Sequence, residues 1–246
     1  MSYALQVEEQ EVGLDESFAR EASEQVAERP CEACREVTKR PLVYRVAKRA
    51  FDVAFSLCVL AVCLVPGVIL SVAVTLDTKG SPIYSQERVG RGGKVFRIYK
   101  MRTMVADSDD VAKYLDEDQL AQWERERKVD DDPRITPLGA KLRATSLDEV
   151  PQFLNVLKGD MSVVGPRPLT TDELEQHFTP EDRALLLSVP AGITGLWQVG
   201  SRNDATFENG ERQVLELGYA RGVSLRLDAE VAARTLGAMF VRRTGR

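Results

Sequence analysis

The sequence predicts an α/β protein, mostly helical α+β, built as a monotopic membrane protein. Its expected parts are a proline-broken re-entrant helix, amphipathic interfacial helices and a small β-hairpin. An uncharged apolar segment, Val53 to Leu76, predicts the membrane helix. Two short strand-like segments joined by glycines predict the hairpin. Charged residues at helical spacing elsewhere predict surface helices around a core.

The composition limits the class of protein. The chain has 246 residues, 43% hydrophobic and 29% charged, which is enough for one domain with a core and tails. The net charge of -5 argues against nucleic acid as a partner. Residues 1–40 hold ten Asp/Glu against five Lys/Arg. Their low hydrophobicity and charge bias predict an acidic, disordered tail.

The cysteines do not predict a metal site or a disulfide scaffold. Cys31 and Cys34 form a single C-x-x-C, and the chain has one histidine, His177. A structural zinc needs four ligands. Cys58 and Cys63 lie in the apolar segment, where cysteine usually packs as a small side chain. We therefore expect a reducing compartment.

The apolar segment is long enough to cross a membrane but carries signs that it returns. Its 24 residues would reach about 36 Å as a straight helix, against about 30 Å of hydrocarbon. Pro66 near its middle should kink the helix. Basic residues lie on both sides of it: Arg45, Lys48 and Arg49 before, and Lys79, Arg88, Arg91, Lys94, Arg97, Lys100 and Arg102 after.

The positive-inside tendency favours both flanks on the cytoplasmic side. Residues 41–78 are therefore predicted as a re-entrant membrane helix, and 79–243 as a cytoplasmic domain. A signal-anchor helix that spans the membrane is the alternative. Residues 41–52 are predicted to be a basic amphipathic lead-in, with Arg49 and Asp52 paired on one helix face near the interface.

The remaining elements follow from local patterns. Pro82–Gln86 and Lys94–Tyr99 read as strands around the turn Gly90–Gly93, which lacks the spacing of a phosphate-binding P-loop. The patterns predict surface helices in 106–129, a helix over 148–158, a short strand at Val163–Val164, helices in 171–188 and 211–243, and a glycine-rich loop over Gly192–Asn203.

An adjacent acidic pair, Asp148 and Glu149, is the strongest candidate for chemistry. Mg²⁺ takes one or two carboxylates together with phosphate oxygens, and an aspartate can also attack phosphorus. Cations that could hold phosphates are Lys100, Arg102, Arg143 and Arg167. However, Ser146-x-x-Glu149 also matches a capping box, and from the residues alone helix capping is the plainer interpretation.

Longer stretches carry a resemblance to a known family, the monotopic phosphoglycosyl transferases, which are bacterial sugar transferases. The resemblance covers about residues 43–240, and its most specific block is Leu142–Leu169. The family's membrane helix usually breaks at Ser-Pro, whereas this chain has Val65-Pro66. The matching stretches are Lys48–Asp52, Phe96–Met104, Asp132–Gly139, Leu142–Leu169 and Ala191–Asn203.

The resemblance implies an enzyme with a defined reaction. It would transfer a sugar-1-phosphate, from a UDP-sugar that is expected to be a hexose, to polyprenyl phosphate and release UMP, with Mg²⁺ as cofactor. This would be the first membrane step of polysaccharide or glycoconjugate synthesis, on the cytoplasmic face of the bacterial inner membrane. The partners are UDP-sugar, polyprenyl phosphate and membrane lipid. The oligomeric state is open, a homo-oligomer included.

The resemblance also implies residue roles. Asp148 would be the nucleophile on the β-phosphate, Glu149 a metal ligand or acid/base, and both would hold the metal. Lys100, Arg102, Arg143 and Arg167 would bind phosphates. The nucleotide-sugar pocket would be formed by Gly195, Trp197, Gln198 and Arg202, and the membrane helix would depend on Lys48, Arg49, Asp52 and Pro66.

Two other functions stay open on the sequence alone. A non-catalytic membrane adaptor for polysaccharide assembly would release no UMP from any UDP-sugar. A nucleotide-sugar hydrolase would release UMP at full rate without polyprenyl phosphate.

Overall fold

A computed structural model describes residues 40–126, 129, 131–200 and 205–241. The predicted tail over 1–40 lies outside these residues except for Arg40. The elements are α1 (Leu42–Thr78), β1 (Ile83–Val89), β2 (Val95–Met101), α2 (Val111–Tyr114), α3 (Glu117–Glu126), α4 (Pro137–Ala144), α5 (Gln152–Lys158), β3 (Met161–Val164), α6 (Thr171–His177), α7 (Pro180–Leu186), β4 (Ala191–Thr194), α8 (Leu196–Val199), α9 (Glu211–Gly222) and α10 (Leu225–Val241). Single 3₁₀ turns lie at Arg91–Gly93 and Leu147–Glu149.

The β-hairpin is confirmed. Strands β1 and β2 pair antiparallel from Ile83 opposite Met101 to Val89 opposite Val95. The turn between them contains Gly92 at φ 71°, a left-handed conformation that glycine adopts without steric cost. The mostly helical α+β class is confirmed as well.

The second strand pair is parallel, and it joins β3, which contains the strand predicted at Val163–Val164, to β4, which overlaps the predicted glycine-rich loop over Gly192–Asn203. Strand β4 pairs with β3, with Met161 opposite Ala191, and α8 follows at once. The loop prediction was therefore wrong for 192–199. The reason is close backbone packing, since a Cβ at Gly192 would lie 2.1 Å from the Gly165 nitrogen. Here glycine permits contact between two segments rather than a turn.

The main core surrounds this parallel pair. Its buried members come from β1, β2, β3 and helices α5 to α10, with Ile193 of β4 packed against them. They include Val156, Val164, Leu196 and Tyr219. A smaller apolar cluster joins Val74 of α1 to Met101 and Leu142. The N-terminal part of α1 packs against the main core through Phe55, and its C-terminal part joins the smaller cluster through Val74.

The N-terminal part of α1 is fixed to the domain by buried polar groups. Lys48 Nζ donates to Asp228 Oδ2 at 2.9 Å and to the Val164 carbonyl at 3.0 Å. Tyr219 donates from its hydroxyl to Asp228 Oδ1 at 2.6 Å. Lys48 is therefore not a flanking charge beside lipid, and the predicted lead-in is the first part of the same helix.

The predicted Arg49–Asp52 pair is wrong. Arg49 donates to the carbonyls of Val156 and Leu157 at 2.6 and 2.8 Å, at the end of α5 where carbonyls lack helical partners. Asp52 instead accepts from Ser162 Oγ and from the backbone N–H of Val163. Each charge is thus used to dock α1 onto a different element.

The middle of α1 is apolar and exposed. Among the described residues, α1 alone is long and apolar enough to cross a membrane, by length and composition. The helix continues without interruption through Pro66. Further on, Val74 is fully buried against the domain. Exposed side chains between the two docked ends include Val62, Leu64, Val65, Val68 and Ile69.

Candidate active site

The acidic pair lies in the 3₁₀ turn Leu147–Glu149 that precedes α5. Ser146 is left-handed at φ 54°, and its side chain makes no capping hydrogen bond. The capping-box interpretation of Ser146-x-x-Glu149 is therefore wrong. Asp148 is 9% exposed, so a carboxylate is held inside the protein without the usual capping role.

The charge of Asp148 is set by opposing influences. Burial raises the pKa of its carboxyl above the usual range, and the neighbouring Glu149 charge raises it further. Lys100 and Arg143 act in the opposite direction. A carboxylate poised between a second acid and two cations suits a group that must react as an anion.

Lys100 lies between the acidic pair and Arg167. Its Nζ donates to Glu149 Oε1 at 3.2 Å. Burial lowers the pKa of Lys100, while Glu149 and Asp148 raise it and Arg167 lowers it. Asn155 fixes this arrangement, because its amide accepts from the Tyr99 N–H and donates to the Arg97 carbonyl, joining α5 to β2.

Arg143 approaches Asp148 from α4. Its Nε donates to Thr103 Oγ1 at 2.9 Å, and burial lowers its pKa, opposed by the charge of Asp148. Helix α4 lies very close to the strand end, since a Cβ on Gly139 would lie 2.0 Å from the Thr103 carbonyl oxygen. A glycine is required at this contact to bring Arg143 to the site.

An open cleft of about 270 Å³ lies beside the pair. It brings together three predicted site residues, Lys100, Glu149 and Arg167, with a fourth, Gln198. Arg88 also lines it, although its guanidinium is paired with Glu173 at 2.7 Å. The complete lining is Arg88, Ile98, Lys100, Glu149, Gln152, Arg167, Pro168, Gly192, Ile193 and Gln198.

Trp197 supports the cleft from behind. It is 9% exposed, and its indole N–H donates to the Ala205 carbonyl at 2.9 Å. Its ring lies 5.4 Å from the Arg167 guanidinium carbon and 4.2 Å from that of Arg212. Trp197 therefore holds two arginines by cation–π contact, which differs from the predicted lining of the pocket.

A buried acid anchors the Arg167 loop. Glu216 Oε2 accepts from the Arg167 backbone N–H at 2.9 Å, and the side chain is 1% exposed. Burial raises the pKa of Glu216 to about 7. Burial and the charge of Arg167 lower the pKa of Arg212 to about 10. This part of the site therefore contains buried charges that do not line the cleft.

Among the described residues, the cleft lining includes neither Asp148, Arg143 and Trp197, which lie beside it, nor Arg102 and Gly195. Arg102 donates to the carbonyls of Ser81 and Ala106 and lies over Tyr84, away from the cleft lining. Gly195 serves backbone packing, because a Cβ there would lie 2.3 Å from the Gly165 carbonyl oxygen. Arg202 lies outside the described residues.

The sequence patterns did not single out Arg88, Gln152, Arg212 or Glu216 as site residues. Gln152 had a usable signal, since it follows Glu149 by three residues and begins α5. Arg212 and Glu216 are spaced i, i+4, which on a helix usually means an exposed pair. Nothing in that spacing indicates burial.

The site and fold together define a class: a domain docked on an apolar helix, with an acidic pair and cations suited to phosphoryl groups. The family described as Bacterial sugar transferase matches residues 43–242. The chain belongs to this family, as the resemblance predicted.

Individual relatives agree with this assignment. The chain is 42% identical over 204 residues to the undecaprenyl-phosphate galactose phosphotransferase of Salmonella typhimurium, covering 82% of this chain and 42% of that protein. It is 41% identical to the galactosyl transferase CpsE of Streptococcus agalactiae, over 78% of this chain and 41% of that protein. It thus spans about two fifths of both.

A relative of more similar length also matches. The exopolysaccharide production protein ExoY of Rhizobium meliloti is 36% identical over 80% of this chain and 87% of its own length.

Proposed function

We propose that this chain transfers a hexose-1-phosphate from a UDP-sugar to polyprenyl phosphate and releases UMP. The observation that carries the proposal is the Asp148–Glu149 pair, held between Lys100 and Arg143 beside a cleft lined by Arg167. The names of the relatives, with their undecaprenyl-phosphate and galactose substrates, support the same acceptor and sugar class.

Asp148 is the proposed nucleophile. Its carboxylate oxygen forms a bond to the β-phosphorus while the bond from that phosphorus to the bridging oxygen breaks, and UMP leaves with the electron pair. An oxygen of polyprenyl phosphate then attacks the same phosphorus and the Asp148 carboxylate leaves. One site serves both half-reactions, so ping-pong kinetics are expected.

The cations have separate tasks in this scheme. Lys100 and Arg143 lower the pKa of Asp148 against the effect of its burial, which favours the carboxylate form that can attack. Arg167 would hold phosphate oxygens, because it lines the cleft and its guanidinium can form two parallel hydrogen bonds to them. Positive groups fixed around a phosphoryl group lower the barrier most when negative charge shifts between oxygens.

Magnesium is part of the proposal. Asp148 and Glu149 supply two adjacent carboxylates, which fits an ion that takes one or two carboxylates plus phosphate oxygens and waters. Across the described ranges no group of three or more His, Cys, Asp or Glu side chains could hold a metal. Substrate phosphates would therefore complete the ligand set, and the bound ion would neutralise diphosphate charge.

A re-entrant course of α1, which would bend at Pro66 while staying helical, completes the proposal. The N-terminal part docks on α5, where the Phe55 and Phe153 rings lie 5.9 Å apart. The C-terminal part docks on β2 and α4 through Val74. Both ends contact one domain, which favours one side of the membrane for both. The exposed apolar stretch between them would enter the lipid of the cytoplasmic leaflet.

The proposed site lies where two phases meet. UDP-sugar is dissolved, whereas polyprenyl phosphate carries its phosphate at the headgroup level. A domain pulled against the cytoplasmic face of the inner membrane by α1 would bring Asp148 to that level. Cysteine labelling from each side, at positions flanking α1 in a background without native cysteines, tests this; labelling from opposite sides contradicts it.

The test of the reaction is UMP release by purified protein from a panel of UDP-sugars, with and without polyprenyl phosphate. Sustained release with one UDP-hexose that depends on the lipid supports the proposal. Release at the same rate without lipid indicates a hydrolase, and no release with any donor indicates an adaptor.

A further inference from the structure

Two glutamines that line the cleft carry amide atoms with no hydrogen-bond partner in the described part of the chain. They are Gln152 Nε2 and both amide atoms of Gln198, and all three are withdrawn from solvent. The whole Gln152 side chain is 2% exposed. Buried polar groups in native proteins nearly always have partners, so these atoms indicate groups that a ligand supplies.

The chemistry of an amide points to a neutral polar ligand. Phosphate oxygens are matched by the cations of the same cleft, Lys100 and Arg167. An amide carries no charge but offers both a donor and an acceptor, which is the pattern that a hydroxyl group presents in return. A row of sugar hydroxyls fits two such amides better than a phosphate does.

The position of the amides points to the group bonded to the reacting phosphate. Gln152 follows Glu149 by three residues, and both line the cleft. In a nucleotide-sugar, the part bonded directly to the β-phosphate that Asp148 would attack is the sugar.

Gly195 contributes to this arrangement. A Cβ at Gly195 would lie 3.0 Å from Gln198 Oε1, so the glycine lets the amide lie against the backbone. The predicted pocket role of Gly195 thus becomes an indirect one, through the placement of Gln198.

We propose that the side-chain amides of Gln152 and Gln198 hydrogen-bond to the hydroxyls of the hexose and thereby set the sugar specificity of the enzyme. This rests on the proposed function, since it assigns part of that site. Contacts that hydrogen-bond a substrate hydroxyl discriminate strongly, because the wrong epimer leaves a buried amide unpaired.

The test replaces each amide by a side chain of similar length without hydrogen-bonding groups, in Gln152→Met and Gln198→Met. The kcat/KM is measured for the preferred UDP-hexose and for its epimer, such as UDP-glucose and UDP-galactose, and UMP is tested as an inhibitor. The discrimination between epimers should fall about tenfold or more in both variants. Inhibition by UMP, which lacks the sugar, should stay unchanged.

Gln213→Met is the matched control. Gln213 also has a buried amide oxygen without a partner, but its Nε2 donates to the Phe207 carbonyl and it lies outside the cleft. This variant should keep the epimer ratio. If a Met variant does not fold, Gln198→Asn, which shortens the side chain by one methylene, should lower the epimer ratio of kcat/KM in the same way.

Specific outcomes overturn the inference. An epimer ratio that stays at the wild-type value in both variants, weaker UMP inhibition, or a wild type that uses both epimers equally would each do so. A wild type that turns over no UDP-sugar contradicts the proposed function itself, so the two failures are distinguishable.

Discussion

Two buried polar clusters in this domain differ in how completely their hydrogen bonds are satisfied. In the docking cluster, Lys48, Tyr219 and Asp228 bond to one another and to the Val164 carbonyl. The cleft cluster consists of Gln152 and Gln198, which line the cleft, with Arg212 and Glu216 buried behind them. Some side-chain atoms of these four residues have no partner among the described residues. Both clusters are buried in the same small domain. We call the first network closed, because its polar groups bond to one another, and the second open, because some of its polar atoms have no partner.

The comparison distinguishes groups that stabilise the fold from groups that are available to bind a ligand. A closed network of buried charges is costly to break, because removal of one member leaves another uncompensated. In an open network, polar groups are buried without partners already in the free protein, which costs free energy. A ligand that hydrogen-bonds to them offsets that cost. Substitutions in the docking cluster should therefore lower stability, and substitutions in the cleft should lower activity.

The largest expected effect on activity is that of Asp148→Asn. An amide cannot attack phosphorus, so transfer should fall at least about a thousandfold. The folded protein should keep its Tm or gain slightly, because burial disfavours the ionised carboxylate. UMP release and thermal unfolding of the same preparation measure both.

Asp118→Asn, an exposed acid on α3, serves as the control and should match the wild type. Near-normal turnover of Asp148→Asn would remove Asp148 as nucleophile. Loss of the folded state in that variant would mean that Asp148 stabilises the fold as the docking cluster does, which contradicts the distinction between structural and active-site groups.

The largest expected effect on stability is that of Lys48→Met. It leaves Asp228 buried without its cation, and breaking a buried pair in this way costs about 3 to 5 kcal/mol. The Tm in detergent should fall clearly. The control is Lys94→Met, because the Lys94 side chain is 78% exposed in its pair with Asp160 and surface pairs contribute little. Equal Tm values for both variants would contradict a structural role for Lys48.

The sequence predicted those parts of the fold that depend on neighbours along the chain. The hairpin and the apolar helix each follow from a local pattern of residue types. Strand β3 was predicted in part, at Val163–Val164, but β4 and the parallel pairing were not, because the strands have four residues each and meet across a long connection. The glycine contact that joins them involves Gly165 and Gly192, which carry no local sign of their partner.

For the candidate site, the sequence predicted the acids and cations but not their environment. Asp148 and Glu149 were singled out, and only the family resemblance favoured catalysis over capping. The Arg49–Asp52 pair was wrong because helical spacing brings two charges near each other but cannot reveal better partners in the domain. Arg212 and Glu216 were missed because their spacing is typical of the surface.

Lys100→Met tests the electrostatics of the acidic pair. Loss of a fixed cation beside the reacting phosphate should lower kcat/KM about a hundredfold at the optimum. Because Lys100 opposes the raised pKa of Asp148, its removal should raise that pKa further. The acid limb of the pH profile should then move to higher pH.

Lys100→Arg keeps the charge and should leave the acid limb of kcat/KM where the wild type has it. The geometry differs between the two side chains, so some activity should still be lost. An acid limb at the same pH in wild type and Lys100→Met would mean that another group than Asp148 sets it.

The smallest expected effect is that of Glu216→Gln, on stability as a function of pH. The pKa of Glu216 is raised in the folded state to about 7 from 4.5, so the folded form holds its proton more tightly than the unfolded chain. That contribution is complete below pH 4.5 and is lost as pH rises through 7. The variant should therefore gain stability over the wild type between pH 5 and pH 8, on the order of 1 to 3 kcal/mol.

Thermal unfolding across this pH range measures the difference. The glutamine oxygen can still accept from the Arg167 N–H, so the loop should stay in place. Glu208→Gln, at an exposed position, should follow the wild-type curve. A Glu216→Gln curve parallel to the wild type would mean that Glu216 is not a buried acid of raised pKa, and that the cleft cluster is closed in solution by groups that bond its free oxygen.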